Sequence, residues 1–420
     1  MTSQNVIAVT LVLCAVLTSS SVHGQDQLQH VEDGTEIAVQ TFAWLPFAFY
    51  TNTFDLALGA GAVSYGYGQP QLGLAGAVFA TTNSSWGVVG SASNYQLRAV
   101  KRLFVDGFAG YLHYTEKESY VPGNPAFPRE RAGSNESSQE NFIVGPARDG
   151  FANLQLRFLL PFGFGRDTIV NTFVLEDGIL VEGSTGGWTW DPRISGRTYL
   201  GLDLFSRKQQ LSNENSDQDL NTNGLRFLFE YDNRDFWINP TRGTYQSLEL
   251  TRDFGWGSSS GSWTTLALSF AKYIDLGTNK HVRQGVIAID LWTIDTLSGV
   301  APHYEGPRLG GIYRMRGFAQ NRFHDLSAVY YSAELRVIPT WSPLNSVDRL
   351  GAFVFNWWQF AAFAEIGRVA PEYSLSELHS DMKWDIGIGC RTLVKSIVLR
   401  ADLAWSREGA HLTAMAGHSF

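Results

Sequence analysis

The sequence of 420 residues contains no run of apolar residues long enough to cross a membrane as a helix. Such a helix needs about 20 apolar residues, and the strongest candidate, residues 6–17, is too short. Charged residues are also scarce, at 17%, and the net charge of −8 argues against a nucleic-acid partner, for which a basic face would be expected. With only Cys14 and Cys390, a disulfide framework is excluded. A helical membrane protein, a nucleic-acid-binding protein and a disulfide-stapled domain are therefore all disfavoured.

Signatures of catalysis are missing as well. The histidines from residue 113 onward lack the spacing of metal ligands. The sequence has neither a nucleophile elbow nor a phosphate-binding loop. We therefore expect no catalytic residue, no metal and no cofactor. The alternative, an enzyme built on a barrel, would depend on His303 or His324, which lie close to a long connection.

The sequence does contain many short segments in which apolar and polar residues alternate. Phe227 and Phe229, for example, alternate with Arg226 and Glu230. Because charged residues recur on the polar face of segment after segment, that face is expected to line water and the apolar face to meet lipid. In a bilayer, only a closed sheet satisfies every backbone group. The sequence therefore predicts an all-β fold, a transmembrane antiparallel β-barrel of about 16 strands between Phe54 and Phe420.

The chain is expected to divide into three parts. Residues 1–24 are predicted to be a signal peptide, because the apolar stretch is followed by small residues suited to cleavage. Residues 25–50 would form a short periplasmic leader, and residues 51–420 the barrel. Polar composition predicts external loops at 207–223 and 255–262. The topology of residues 117–195 stays open, because long polar connections interrupt the alternation there.

One motif in a long connection stands out, and it contains Arg316, Gly317 and Phe318. A loop that folds back into a wet lumen needs an anchor, and the planar guanidinium of an arginine can pair with a carboxylate on the wall. Glu334 and Glu365 lie on the polar faces of their strands and should both point inward. Gly317 would let the backbone turn sharply, and Phe318 would wedge the tip.

The sequence from residue 309 to 318, Leu-Gly-Gly-Ile-Tyr-Arg-Met-Arg-Gly-Phe, resembles the loop motif of the BamA/TamA outer-membrane assembly superfamily, also called the bacterial surface antigen family. A second stretch, with Asp235, Pro240, Arg242 and Gly243, is similar to a periplasmic turn of that family. The resemblance implies a long loop folded into the lumen, with Arg316 held by Glu365 and with Glu334 nearby. It also implies that Phe420 ends the closing strand as a C-terminal barrel signal. Alternation along residues 411–420 predicts that the Phe420 ring lies on the lipid-facing side of that strand.

The resemblance implies an integral protein of the bacterial outer membrane, in the branch that consists of the barrel without POTRA domains. Its function would be insertion or translocation of protein, or of lipid, without nucleotide hydrolysis. Expected partners are outer-membrane lipid and client polypeptides, or a separate periplasmic protein. Two alternatives stay open: a passive or gated pore for small solutes, and a structural surface antigen. The glycines at 59, 61, 66 and 68 fit either a weak seam or an ordinary bend.

Overall fold

The computed structural model describes residues 26–32, 35–38, 40–51, 54–213, 216–342, 349–350, 353–394, 397–416 and 420. The predicted signal peptide, 1–24, lies outside these residues. The strands are β1 (Asp26–Glu32), β2 (Thr35–Ala38), β3 (Thr41–Thr51), β4 (Asp55–Tyr65), β5 (Gly73–Thr81), β6 (Trp86–Gln96), β7 (Leu103–Ser119), β8 (Ile143–Leu159), β9 (Asn171–Glu176), β10 (Ile179–Glu182), β11 (Arg197–Asn213), β12 (Ser216–Asp232), β13 (Gly243–Phe254), β14 (Ser262–Asn279), β15 (Val282–Ser298), β16 (Arg308–Leu309), β17 (Phe323–His324), β18 (Ser327–Pro339), β19 (Arg349–Leu350), β20 (Phe353–Ala370), β21 (Lys383–Val394), β22 (Ile397–Ser406) and β23 (Gly409–Ala416). Helical structure is limited to a short helix, α1 (Leu375–Leu378), and a 3₁₀ turn (Gly163–Arg166).

Sixteen of these strands follow one another around a barrel, with the short β19 added between β18 and β20. They are β3 to β8, β11 to β15, β18, and β20 to β23. Antiparallel registers link described residues of each neighbouring pair apart from β23 and β3, the last and first strands, which adjoin in the strand order. The predicted all-β barrel of about 16 strands is therefore confirmed.

The strands expose their apolar side chains and bury their charged ones. In β18, Leu335 is 44% exposed, whereas its neighbours Glu334 and Arg336 are each 1% exposed. The same inversion occurs in β21, where Ile388 is 56% exposed and Arg391 is fully buried. A soluble protein would show the opposite arrangement. The outward face suits lipid and the inward face a polar lumen, as a transmembrane barrel requires.

The first strands depart from this rule and begin earlier than predicted. The segment expected to be a leader, 25–50, contains β1, β2 and most of β3, so the barrel starts at Thr41 rather than at residue 51. The inner faces of β3 to β6 are apolar, where Phe47, Ala57, Phe79 and Val89 pack together. With apolar residues on both faces, β3 lacks the alternation that the prediction needed.

Of the two predicted loops, one is wrong and the other is confirmed. Residues 207–223, expected to be a loop, belong almost entirely to β11 and β12, which pair as far as Asn213 and Ser216. The ends of these two strands extend beyond the apolar band, the part of the outer wall that faces lipid. Both faces of the strand ends are therefore polar, and the alternation disappears. The loop predicted at 255–262 is confirmed, because β13 ends at Phe254 and β14 begins at Ser262.

Alternation of up and down strands gives the barrel two ends. We call the end with the connection 299–326 the loop end, and the end with the connection 233–242 the turn end. At the turn end, a small sheet in the order β10-β9-β1-β2 packs against the barrel, with β1 parallel to β9. Its Leu28 and Phe173 are fully buried against wall residues that include Trp357. The indole N–H of Trp357 donates to the carbonyl of Gly178, at 2.9 Å.

In the part of the chain that the structure describes, none of the helices is long and apolar enough to cross a membrane.

Candidate functional site in the barrel lumen

The connection between β15 and β18, residues 299–326, lies against the inner wall. Its β16 and β17 pair as a small hairpin, Leu309 with Phe323. Leu309, Met315, Phe318 and Phe323 are almost completely buried and share an apolar cluster with wall residues of β15, β18 and β20. The loop is therefore packed in place as well as connected at both ends. Contacts with apolar side chains alone would not orient it, and polar groups supply that orientation.

Arg316 lies at the centre of these polar groups and has no exposed surface. Its guanidinium donates to three carboxylates on three strands: Glu334 of β18 at 2.8 Å, Glu365 of β20 at 3.1 Å and Asp402 of β22 at 2.8 Å. Its backbone N–H donates to the second oxygen of Glu365, at 2.6 Å. The guanidinium also stacks on the ring of Phe363, 3.4 Å from the ring centre. One loop side chain thus joins three strands of the wall.

The protonated state of Arg316 is strongly favoured. Burial by itself would lower the pKa of Arg316, but the carboxylates of Glu365, Glu334 and Asp402 raise the pKa well above its ordinary value. Removing a charge from such a buried group leaves its partners uncompensated, which is costly in a medium of low dielectric constant. The arginine is consequently a permanent cation that fixes the loop by charge and by geometry.

Further wall arginines extend the network. Glu334 also accepts hydrogen bonds from Arg336, at 2.7 Å, and Arg391, at 2.8 Å, and all three side chains are fully buried. Arg400 lies 3.2 Å from Asp402 and donates to the carbonyl of Ile312 in the loop, at 2.7 Å. Nothing in the local sequence indicates the contact of Arg400 and Asp402 with the loop. Their spacing of two residues indicates only that both lie on one strand face.

The residues next to Arg316 are shaped by close approach to the wall. The N–H of Gly317 donates to Asp385, at 3.1 Å, and a Cβ atom at Gly317 would lie 2.5 Å from the Cβ of Asp385. The left-handed backbone is found at Met315, with φ of 57°, so the sharp turn precedes Gly317. Phe318 is buried edge-on against Phe323, with ring centres 5.1 Å apart. Gly317 is thus required by space.

A second long connection, residues 120–142, covers the loop from the outside at the loop end. Arg322 of the loop donates to the hydroxyl of Ser137, at 2.8 Å, and to Glu408, at 2.8 Å. The imidazole of His324 hydrogen-bonds the carbonyl of Tyr120, at 2.6 Å. Arg131 pairs with Asp325 across the same interface. The two connections form one interlocked cap over the lumen.

Two half-buried histidines lie in this cap, with His303 and His324 ring centres 6.0 Å apart. Burial, with a smaller contribution from His324, lowers the pKa of His303 from 6.5 to about 3. Burial also lowers the pKa of His324. Both rings are therefore neutral at neutral pH. Within the described residues, no group of three or more histidine, cysteine or acidic side chains is arranged to hold a metal ion.

The predicted turn residues lie together at the turn end. The carboxylate of Asp235 accepts the N–H groups of Phe236 and Thr241, both at 2.9 Å, and that of Arg242, at 3.3 Å. Burial nevertheless raises the pKa of Asp235 above its ordinary value. Pro240 precedes the return of the chain into β13. Gly243 opens that strand with φ of 101°, a conformation that favours glycine.

Phe420 occupies a different environment from the one expected. The prediction places its ring on the lipid-facing side of the closing strand. In the structure, the ring lies 4.9 Å from the guanidinium of Arg336 and 6.4 Å from the ring of Tyr273. Both partners are buried side chains of the inner wall. The attraction between a guanidinium and an aromatic face provides the physical reason for this inward position.

Comparison with known proteins gives one family match. The profile described as the Omp85 superfamily domain matches residues 188–411. A comparison with curated proteins finds no match.

Solved structures share the fold at low sequence identity. CdiB from Escherichia coli is 12% identical, with a TM-score of 0.54 over 93% of this chain and 65% of that one. CdiB from Acinetobacter baumannii is 12% identical, with a TM-score of 0.53 over 91% of this chain and 60% of that one. BamA from Haemophilus ducreyi lacking POTRA domains 1–3 is 14% identical, with a TM-score of 0.49 over 91% and 71%. The chain thus spans less than two thirds of the length of either CdiB.

Proposed function

Because this chain belongs to the Omp85 superfamily, whose members are barrels for protein insertion or translocation, we propose that it inserts or translocates polypeptide at the outer membrane without nucleotide hydrolysis. The chain is an integral outer-membrane β-barrel. In the proposed arrangement, the loop end faces outward and the turn end faces the periplasm. Client polypeptides and outer-membrane lipid would be its partners, and a separate periplasmic protein could deliver the clients.

The observation that carries this proposal is the buried attachment of Arg316 to carboxylates on β18, β20 and β22. A loop held against the inner wall by an arginine with no exposed surface would obstruct a direct path for solutes. The cap at the loop end and the small sheet at the turn end would obstruct the same path. In this proposal, a client enters the bilayer through the wall between the last and first strands.

The first strands have features that would ease opening there. The neighbouring strand β4 contains Gly59 and Gly61, and glycine contributes no side chain to packing within a sheet. The inner faces of β3 to β6 form an apolar cluster around Phe47 rather than a charged network. Apolar contacts are non-directional, so separating these strands would leave fewer buried charges without partners than separating β18 from β20.

The test is a disulfide across the seam. In a Cys390→Ser background, one cysteine is placed in β3 and a second is scanned along β23, and insertion of a client barrel into vesicles containing the protein is measured. The oxidised seam pair should abolish insertion, and reduction should restore it. The matched control is Ala401→Cys with Ala414→Cys, which are directly opposite each other on β22 and β23. Insertion that continues through an oxidised seam would refute the proposal.

A gated pore is the alternative, and conductance distinguishes it. Purified protein in planar bilayers should show only low or brief conductance while the loop is held by Arg316. A large and steady conductance of the wild-type protein would favour the pore and would contradict a blocked lumen.

A further inference from the structure

A short loop at the turn end exposes an unusual amount of apolar surface. This tryptophan loop, residues 183–196, connects β10 to β11. Trp188 is 54% exposed, Trp190 is 60% exposed and Ile194 is 65% exposed. Single exposed apolar residues are ordinary on protein surfaces, but three within seven positions form a patch. Such a patch calls for an apolar environment outside the chain.

The tryptophan loop is rigid, so this exposure is built into the fold. The side-chain oxygen of Asn233 accepts the N–H of Gly187, at 3.2 Å, and the hydroxyl of Ser195, at 2.6 Å. The amide nitrogen of Asn233 donates to the carbonyl of Thr189, at 3.0 Å. The hydroxyl of Tyr231 donates to the carbonyl of Ser195, at 3.1 Å. On the loop side, these bonds involve backbone groups and the hydroxyl of Ser195. The side chains of Trp188, Trp190 and Ile194 take no part in them and point away from Asn233.

The loop lies on the outside of the barrel, next to the lipid-facing surface. The ring of Trp190 stacks on Phe270 of β14, with ring centres 5.9 Å apart. Phe270 alternates along the strand with buried residues and shares its face with Leu268 and Ile274, which are 47% and 41% exposed. The patch therefore continues the apolar band at its edge. The charges on the loop, Asp191 and Arg193, pair with each other at 2.7 Å, and so do not call for a charged partner.

We propose that the tryptophan loop is an interfacial anchor, in which Trp188, Trp190 and Ile194 enter the head-group region of the adjoining phospholipid leaflet. Tryptophan favours this zone because its ring is apolar and its N–H can meet water or head groups. Continuity with the band at Phe270 selects lipid over a protein partner. The anchor would fix the depth of β11 to β14, independently of any role in moving clients.

Fluorescence in vesicles tests this proposal directly. Wild type and the Trp188→Phe/Trp190→Phe variant are reconstituted with phospholipid brominated close to the head group. Two of the thirteen tryptophans are changed, and the intensity that bromine quenches should fall in this variant. Trp263→Phe is the control, because Trp263 is 1% exposed on the inner wall and its loss should leave the quenched intensity unchanged. The fluorescence intensity that aqueous iodide quenches should be the same in the variant and in the wild type.

Either of two fluorescence results would contradict the lipid anchor. If bromine quenches the same intensity with and without the two indoles, or if iodide quenching falls in the variant, then the rings face water and the lipid assignment is wrong. That result would leave a protein partner as the occupant. In a second experiment, the Trp188→Ser/Trp190→Ser/Ile194→Ser variant should keep the melting temperature of the detergent-folded protein but insert into vesicles severalfold more slowly. Unchanged insertion would count against the anchor.

Discussion

At the scale of single residues, Arg316 is the side chain on which the arrangement of the loop depends. It contacts three buried carboxylates, of which Glu334 and Asp402 also pair with other arginines and Glu365 also accepts the hydroxyl of Tyr330. Removing one partner from a buried ion pair is costly because the remaining charge has lost both water and its counter-charge. Glu334 is partly protected by Arg336 and Arg391, whereas Glu365 has no other arginine among the described ion pairs.

Arg316→Ala should therefore destabilise the folded barrel by about 3–5 kcal/mol, the range for a broken buried pair. Glu365→Ala should cost less, because Glu334 and Asp402 still hold the guanidinium. In the double variant, the loss should be smaller than the sum of the two single losses, because the residues interact. The measurement is the temperature at which the compact band on a gel converts to the unfolded band.

Arg314→Ala is the matched control for this cycle. Arg314 belongs to the same loop, but its guanidinium stacks on the ring of Trp292, 4.1 Å from the ring centre, and it takes part in none of the ion pairs between described residues. Its loss should cost about 0.5–2 kcal/mol, the range of cation–π contacts. Additive losses at Arg316 and Glu365, or an equal loss at Arg314, would contradict the proposed pairing.

A second prediction at this scale concerns pH. The folded protein holds the pKa of His303 near 3, whereas the ordinary value of 6.5 applies once the chain unfolds. Above about pH 6.5, neither state binds this proton, and stability is at its full value. As the pH falls from 6.5 toward 3, the unfolded chain takes up the proton first, so stability is lost over that interval.

The melting temperature of the wild type should accordingly fall between pH 7 and pH 5. His303→Asn should show a smaller fall, because the imidazole with the lowered pKa is gone. His379→Asn is the control, since His379 is exposed, and it should keep the wild-type fall. The explanation fails if His303→Asn and the wild type lose stability in parallel over this range.

At the scale of elements, the small sheet at the turn end is held by apolar burial. Phe173 of β9 is fully buried between Phe236, 4.8 Å away in ring centres, and the wall. Phe173→Ala should destabilise this sheet by about 3–5 kcal/mol, as for other buried phenylalanines. The N-terminal strands should then become accessible to protease in folded protein. Val181→Ala, on the same hairpin but 50% exposed, should leave the digestion pattern unchanged.

Strands inside the membrane could be predicted from sequence because lipid and water impose opposite polarity on alternate residues. In β18, this alternation locates Glu334 on the inner wall without any structure. The prediction failed where that contrast is missing. The polar ends of β11 and β12 meet water on both faces, and β3 packs apolar residues such as Phe47 inside.

The predicted site was limited in a similar way. Local sequence identifies Arg316, Glu334 and Glu365 as charged residues of a loop and two inner faces. The third carboxylate, Asp402, comes from β22, far along the chain, and only the curvature of the barrel brings it within 2.8 Å of Arg316. The small sheet was missed because β1 pairs in parallel with β9, a partner that no local pattern indicates.

At the scale of the whole molecule, the apolar belt should determine where the protein tolerates charge. Ile388→Arg places a guanidinium on a lipid-facing side chain of β21 that is 56% exposed, and should cost about 2–4 kcal/mol in a bilayer. Val300→Arg, in the loop end and 73% exposed, should change stability by no more than about 0.5 kcal/mol. Reversible folding into phospholipid vesicles measures both. Equal costs at the two positions would mean that β21 does not face lipid.

The pairing of β1 with β9 also has a consequence for biosynthesis. Six barrel strands, β3 to β8, separate the two partners in the chain. Strands so far apart in the chain are expected to pair only after the intervening strands have folded. Closing a long loop costs conformational entropy before the contacts that compensate for it can form. The strands β1 and β2 are therefore expected to join the structure late. During biosynthesis, the backbone groups of β1 that pair with β9 would stay without that partner until the intervening barrel strands are in place.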